Sequence, residues 1–176
     1  MAVQNRKVHT AIVLQGGGAL GAYEYGVLKA LYEQRPGFKP IAVAGISIGA
    51  ITAAVVGGAK GDPITALEQL WHKKLTVLPP PLISWLPPEI DRQLAALGNP
   101  GMYRVHYSLF TSPWSMTSLY DTGPLRQTLG ELIDPPVLND DGTRVIVGAI
   151  NIGTGEMESV PSSRHAWAHA VRHSAL

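Results

Sequence analysis

Two apolar segments near the N-terminus each run into a glycine-rich loop and then into a helical pattern, which constrains the fold more than any other feature. Residues 8–15 are rich in β-branched side chains and predict a buried, parallel strand. Apolar residues then recur at helical spacing over 19–34. A second apolar run at 41–46 precedes a helix-like stretch at 48–56. This order of strand, helix, strand and helix predicts an α/β domain with a mostly parallel sheet.

The rest of the chain alternates between helical patterns and turn-rich segments. Asp62-Pro63 is a good helix start, and the helix is predicted to reach Leu75. A further helix is predicted from Asp121 to Ile133, a hairpin from the runs at 145–150 and 156–160, and a helix at 164–176. The segment Pro79–Pro88 cannot form a regular helix or central strand, and is interpreted as an acyl-chain-binding loop or as plain packing over the core.

Composition excludes several functional classes. The 176 residues suit one domain, and a net charge of +1 offers no electrostatic footprint for nucleic acid. The lack of cysteine excludes disulfides, thiolate zinc sites and a cysteine nucleophile. The polar first ten residues lack the apolar stretch of a signal peptide, so we expect a cytoplasmic protein. The uncharged stretch between Lys39 and Lys60 is long enough for a membrane span, but its glycines favour a strand, a turn and a helix.

The first motif with chemical meaning is G-I-S-I-G, between the second strand and its helix. A nucleophilic serine needs a sharp turn that exposes its hydroxyl, and the flanking Gly45 and Gly49 let strand and helix approach closely. Ser47 is therefore a candidate nucleophile, and the Ile48 N–H at the helix start is a candidate oxyanion donor. The alternative interpretation is a glycine-rich turn in which Ser47 only caps the helix.

The second motif is G-G-G-A-L-G at 16–21, between the first strand and its helix. It matches the G-x-G-x-x-G dinucleotide pattern, but the second strand lacks the acidic residue that such a site needs at its end. The alternative is that Gly16, Gly17 and Gly18 present backbone N–H groups to an oxyanion, with Gly21 as a motif glycine. Parallel neighbouring strands would bring both loops to one sheet edge. A nucleotide- or phosphate-binding module stays open at this point.

With these motifs, the sequence resembles the patatin-like phospholipase family. The resemblance lies in I-V-L-Q-G-G-G-A-L-G-A-Y-E-Y-G-V-L at 12–28, G-I-S-I-G at 45–49, S-L-Y-D-T-G-P-L at 118–125 and V-G-A-I-N-I-G-T-G at 147–155. It implies a three-layer α/β/α sandwich and a lipid acyl hydrolase with a Ser–Asp dyad, without a catalytic histidine. Ser47 matches the family's nucleophile, and the loop at 16–21 matches its oxyanion loop. The resemblance implies a lipid or phospholipid substrate, met in the cytoplasm or at a membrane surface.

The chain departs from the family in two places. Leu20 stands where many members carry Lys or Arg, which removes an expected cationic contact. The family's acid lies in a D-G-G or D-G-A motif, which this sequence does not contain. Asp141-Gly142-Thr143 is the nearest match but suits a turn, and Asp121 suits a helix cap. We therefore expect a truncated single domain whose general base lies beyond residue 176, and which is nearly inactive by itself.

The histidines offer one further hypothesis. His165, His169 and His173 share a helical face but have no acidic partner nearby, so a packed or solvated face is preferred over a metal site. We expect neither metal nor cofactor. An α/β-hydrolase with a Ser-Asp-His triad is the other enzymatic alternative, although Ser47 lies early in the chain for that arrangement. The sequence does not determine the natural lipid or the oligomeric state.

Overall fold

The protein is described by a computed structural model over residues 9–76, 98–99, 101–105, 120–140 and 142–162. These residues form seven strands, five α-helices, one 3-10 turn and one π-helical turn. They are β1 (Ala11–Leu14), a 3-10 turn (Gly18–Leu20), α1 (Gly21–Gln34), β2 (Ala42–Ile46), α2 (Ile48–Gly58), α3 (Pro63–Gln69), a π-helical turn (Leu70–Leu75), β3 (Gly98–Asn99), β4 (Tyr103–Val105), β5 (Tyr120–Asp121), α4 (Gly123–Leu132), α5 (Pro135–Leu138), β6 (Arg144–Ile150) and β7 (Met157–Pro161).

The larger sheet has the order β1-β2-β6-β7 and is mostly parallel. β1, β2 and β6 run parallel, with Leu14 opposite Gly45 and Gly45 opposite Val147. β7 is antiparallel to β6, which confirms the predicted hairpin. The two glycine-rich loops therefore leave the sheet at the same edge, as neighbouring parallel strands require. The chain has the predicted α/β class, with a sheet and helices consistent with a patatin-like α/β/α fold.

Helix α2 packs against β2 and β6 and is the centre of the core. Ten of its residues are buried, from Ile48 to Gly58, with Ile51 as the partly exposed exception. Small residues dominate this helix because it lies close to the sheet, where larger side chains would not fit. The part of the chain that the structure describes contains no helix that is both long and apolar enough to span a membrane.

The prediction that the first strand is buried is wrong for one of its faces. Leu14 is buried towards α2, but the adjacent Val13 is 77% exposed. Side chains alternate between the faces of a strand, so Val13 points away from α2. Its neighbours in register are Ala44 of β2 and, across β2, Ile146 of β6. Strand β1 is also the edge strand of the described sheet, so on one side Val13 has no described neighbouring strand whose side chains could flank it.

The helix boundaries follow local capping chemistry. Asp62 accepts a hydrogen bond from the Thr65 N–H at 2.7 Å, which confirms the predicted start of α3. The predicted helix at 121–133 begins two residues late, at Gly123. Asp121 lies in β5 and still accepts a 2.8 Å hydrogen bond from the Gly123 N–H, so it caps the first turn from outside the helix. The first helix is preceded by a 3-10 turn, because the chain passes through positive φ at Gly17 and Gly18.

Several predictions fall on parts of the chain outside the described residues. They concern the loop Pro79–Pro88, Asp141, the terminal helix at 164–176 and the three histidines on that helix.

Candidate active site

Ser47 occupies a sharp turn between β2 and α2. Its backbone has φ 55° and ψ −127°, and it is the one residue other than glycine with positive φ among the described residues. Such a conformation costs an L-residue of the order of 1–3 kcal/mol and persists only where the surrounding structure imposes it. The side chain is exposed although the adjacent Ile48 and Gly49 are buried. The turn thus leaves Ser47 exposed to solvent while the helix residues that follow it are buried.

The two glycines that flank Ser47 make this turn sterically possible. A methyl group on Gly45 would overlap the backbone carbonyl of Gly49, and one on Gly49 would lie 2.5 Å from the carbonyl oxygen of Gln15. Neither obstacle is a flexible side chain that could move aside. Both positions therefore require glycine for close approach of strand and helix, as the sequence predicts.

The first glycine loop lies directly beside Ser47. A methyl group on Gly16 would lie 3.1 Å from Ser47 Cβ. Gly17 has φ 139° and Gly18 has φ 57°, conformations that L side chains rarely adopt. The structure thus brings together the two predicted motifs, which are separated by more than twenty residues in the sequence.

A carboxylate that the sequence analysis did not single out holds the end of β1. Glu24 of α1 accepts a 2.7 Å hydrogen bond from the Gln15 N–H, immediately before the glycine loop. Its other carboxylate oxygen is buried without a hydrogen-bond partner. Glu24 therefore ties the loop to α1. Nothing in the sequence pattern of α1 indicates that Glu24 makes this contact. The contact depends on how α1 packs beside the end of β1.

Ser47 opens onto a cavity of about 830 Å³ between α2, the π-helical turn, α4 and the end of β6. Among the described residues, the buried part of its wall consists of aliphatic side chains and one tryptophan: Ile48, Ala50, Ala54, Trp71, Leu129 and Val147. The exposed part of its wall contains Ser47, Gly18 and Arg126 among other residues. The cavity thus has an apolar floor and a more polar rim, with the serine hydroxyl at the rim.

One ion pair joins α4 to the π-helical turn, and a second joins β4 to β5 just before α4 begins. Lys74 of the π-helical turn donates a hydrogen bond to Glu131 at 2.6 Å, and Arg104 donates to Asp121 at 2.7 Å. The hydrogen bond from Lys74, with a second one from Gln127, lowers the pKa of Glu131. Asp121 is thus a structural residue of β5 and α4. It is absent from the wall of the Ser47 cavity.

The predicted site residues fall into two groups. Ser47, Ile48 and Gly18 line the cavity, and Gly16 touches the serine turn. Gly21 has a packing role instead, because a methyl group there would lie 2.8 Å from Ile48 Cγ1 and 2.9 Å from Trp71 Cζ2. Among the residues that the structure describes, no group of three or more acidic or histidine side chains could hold a metal ion.

Comparisons with known proteins identify the family of this chain. The profile of the patatin-like phospholipase family matches residues 12–173, which include both glycine loops. A stretch of 64 residues is 39% identical to Triacylglycerol lipase SDP1L of Arabidopsis thaliana. That stretch is 36% of this chain and 8% of the lipase, so the chain spans a small part of that relative's length. Because the family profile covers nearly all of the sequence, including the serine turn and the loop beside it, the chain belongs to the patatin-like phospholipase family.

Proposed function

We propose that this chain carries the nucleophile and the oxyanion loop of a lipid acyl hydrolase. The observation that supports the proposal most directly is the exposed Ser47 in a positive-φ turn at the rim of a large apolar cavity. A turn of this kind keeps a nucleophilic oxygen clear of its own backbone. The apolar floor suits an acyl chain, and the relative's description as a triacylglycerol lipase agrees with an ester of a fatty acid.

The proposed reaction is acyl transfer through a covalent intermediate. Ser47 Oγ attacks the ester carbonyl, the alcohol leaves, and water then hydrolyses the acyl-serine. Backbone N–H groups of Gly16, Gly17 and Gly18, with that of Ile48, stabilise the oxyanion of each tetrahedral intermediate. The proximity of Gly16 to Ser47 supports this assignment, as does the place of Ile48 in the first turn of α2, where N–H groups lack intrahelical partners.

The proposed general base is an aspartate that follows residue 176 in the complete protein. Family members carry it in a D-G-G or D-G-A motif, which this sequence does not contain. Among the described residues, the wall of the cavity also contains no carboxylate. Asp121, the alternative within a matching motif, is engaged by Arg104 and by the Gly123 N–H. The dyad is thus proposed to form between Ser47 and a residue of the following segment.

The protein is proposed to meet its substrate at a lipid surface. Leu20, Tyr23 and Val27 form an apolar stripe at helical spacing along the outer side of α1, with exposures of 70%, 78% and 49%. The stripe starts at the glycine loop, because Leu20 packs on Gly17, and the adjacent Ala19 and Ala22 line the cavity. A lipid that contacts this stripe would have a short path to Ser47. Phospholipid and triacylglycerol both remain candidates for that lipid.

A fluorophosphonate probe tests the nucleophile and the base together. We expect rapid labelling of one serine in a chain extended through the D-G-G or D-G-A motif, since such probes report activated serines. Ser47→Ala should abolish labelling with the fold retained, and Ser159→Ala, at an exposed serine of β7, should label normally. The 176-residue chain should label about 10²–10⁴-fold more slowly, which is the usual contribution of a general base.

Two results would contradict the proposal in different ways. Labelling that survives Ser47→Ala would remove Ser47 as the nucleophile. Labelling of the 176-residue chain at the rate of the extended chain would place the base within these residues. Asn in place of the aspartate of the extended segment gives the matching control, and it should return the rate to that of the short chain.

A further inference from the structure

The rim of the Ser47 cavity contains a single charged side chain among the described residues. Of the residues that line the cavity, Arg126 alone is ionisable at neutral pH, and it lies in the first turn of α4. The buried wall around it is apolar, with Leu125 and Leu129 of the same helix facing the cavity. Arg126 and Ser47 thus line the same cavity with an apolar floor, and a neutral ester has no anionic group that would pair with the cation.

The Arg126 guanidinium has no ion-pair or hydrogen-bond partner in the part of the chain that the structure describes. It takes part in neither of the ion pairs, which join Lys74 to Glu131 and Arg104 to Asp121. It also makes no side-chain hydrogen bond with a described residue, and its side chain is exposed. No described residue therefore competes with a ligand for its five N–H donors.

The backbone of the same helix turn offers no competing site for an anion. The Gly123 N–H donates to Asp121 Oδ1, the Leu125 N–H donates to the Met102 carbonyl at 3.1 Å, and Pro124 has no N–H group. The Arg126 N–H donates to the Thr122 carbonyl at 3.2 Å. The donors at the start of α4 are therefore occupied, and the guanidinium is the group left to bind a ligand at this point of the rim.

We propose that Arg126 is a specificity-determining residue that binds the phosphate of a lipid headgroup while the acyl ester lies at Ser47. This inference rests on the proposed function and deepens it, since it selects phosphate-bearing lipids over neutral glycerides. A guanidinium binds phosphate oxygens through two parallel hydrogen bonds, which suits it to this task better than a lysine. The substrate then spans the cavity, with its acyl chain on the apolar floor and its phosphate at the rim.

Equilibrium binding tests the proposal without requiring turnover. The ligands are 1-O-hexylglycerol 3-phosphate and the neutral 1-O-hexylglycerol, ether analogues that contain no hydrolysable ester, used as monomers in isothermal titration calorimetry. We expect the phosphate analogue to bind about 10- to 100-fold more tightly than the neutral one, which is the usual worth of hydrogen bonds to a charged group. In Arg126→Gln the two affinities should converge, with that of the neutral analogue unchanged.

Three controls separate this role from general electrostatics. Arg144→Gln removes an exposed arginine at the start of β6 that does not line the cavity, and should leave both affinities unchanged. Arg126→Lys should retain part of the preference, because it retains the charge without the fork geometry. Inorganic phosphate should bind much more weakly than the phosphate analogue and compete poorly with it.

The outcomes have distinct meanings. Equal affinities in the wild type, or a preference that persists in Arg126→Gln, would overturn the assignment of Arg126. Inorganic phosphate that binds as tightly as the analogue would overturn the headgroup assignment and indicate a free-phosphate site. Failure of the proposed hydrolase function would appear elsewhere, as fluorophosphonate labelling that survives Ser47→Ala. That result would leave the binding preference of Arg126 intact.

Discussion

At the scale of single residues, Ser47 combines an exposed hydroxyl with an unfavourable backbone conformation. Glycine would adopt φ 55° and ψ −127° with little strain, yet the chain places serine there. The cost is offset by the buried residues on both sides, which hold the turn in place. A conformation that stability alone would not select is typical of a residue retained for its chemistry.

This strain predicts a difference between two inactive variants. Ser47→Gly should be more stable than Ser47→Ala by about 1 kcal/mol, because glycine relieves the backbone strain while alanine keeps the Cβ atom. The greater flexibility of glycine in the unfolded chain offsets part of the gain. Urea denaturation of the two variants measures the difference in the free energy of unfolding. Equal stabilities would show that the turn does not strain residue 47.

At the scale of elements, some glycines are required by close packing and others have open space around them. Gly45 of β2 meets the backbone of α2, where nothing can move aside. Gly26 lies in the exposed part of α1, and a methyl group there would meet nothing within 4 Å. Glycine thus favours folding at position 45, where a side chain would clash, and lowers stability at position 26, where it only adds flexibility.

Alanine substitutions at these two positions should have opposite effects on stability. Gly26→Ala should stabilise the protein by about 0.5–1 kcal/mol, because alanine favours the helix and loses less entropy on folding. Gly45→Ala should destabilise it by more than about 2 kcal/mol, since the added methyl group overlaps backbone atoms of Gly49 and Ala50. Thermal and urea denaturation measure both. A mild effect of Gly45→Ala would show that strand and helix can separate at little cost.

At the scale of the whole molecule, the described residues expose large apolar side chains on several surfaces, including the β6–β7 hairpin, and two of these surfaces differ in how near they lie to the cavity. One is the α1 stripe of Leu20, Tyr23 and Val27, next to the cavity. The other is the face of the sheet away from α2, where Val13 is exposed. Tyr23 and Val13 have nearly the same exposure, 78% and 77%, so they form a matched pair for testing which surface meets a membrane.

Vesicle binding should depend on Tyr23 and not on Val13. Tyr23→Ser should weaken partitioning onto phosphatidylcholine vesicles by about tenfold, because burial of a large apolar side chain contributes of the order of 1.5 kcal/mol. Val13→Ser should leave the partition coefficient unchanged. Sedimentation of the protein with vesicles measures both. The reverse order of effects would place the lipid contact on the sheet and contradict the proposed route from the α1 stripe to Ser47.

The sequence by itself determined the parts of the protein that rest on local chemistry. The strands before each glycine loop, the cap at Asp62, the hairpin and the serine turn all follow from residue types within a few positions of one another. The family and the pairing of the two loops were also predictable, because neighbouring parallel strands end at one edge of a sheet.

Only the tertiary structure decided which side chains surround the serine. The wall formed by Trp71 and Leu129 and the position of Arg126 at the rim join segments that lie far apart in the chain. The tie from Glu24 to Gln15 is closer in sequence but depends on how α1 packs beside β1. The exposure of Val13, beside the buried Leu14 of the same strand, likewise depends on which face of β1 the helices cover. Such contacts depend on how helices pack across the sheet, and periodicity along the chain carries no information on that geometry.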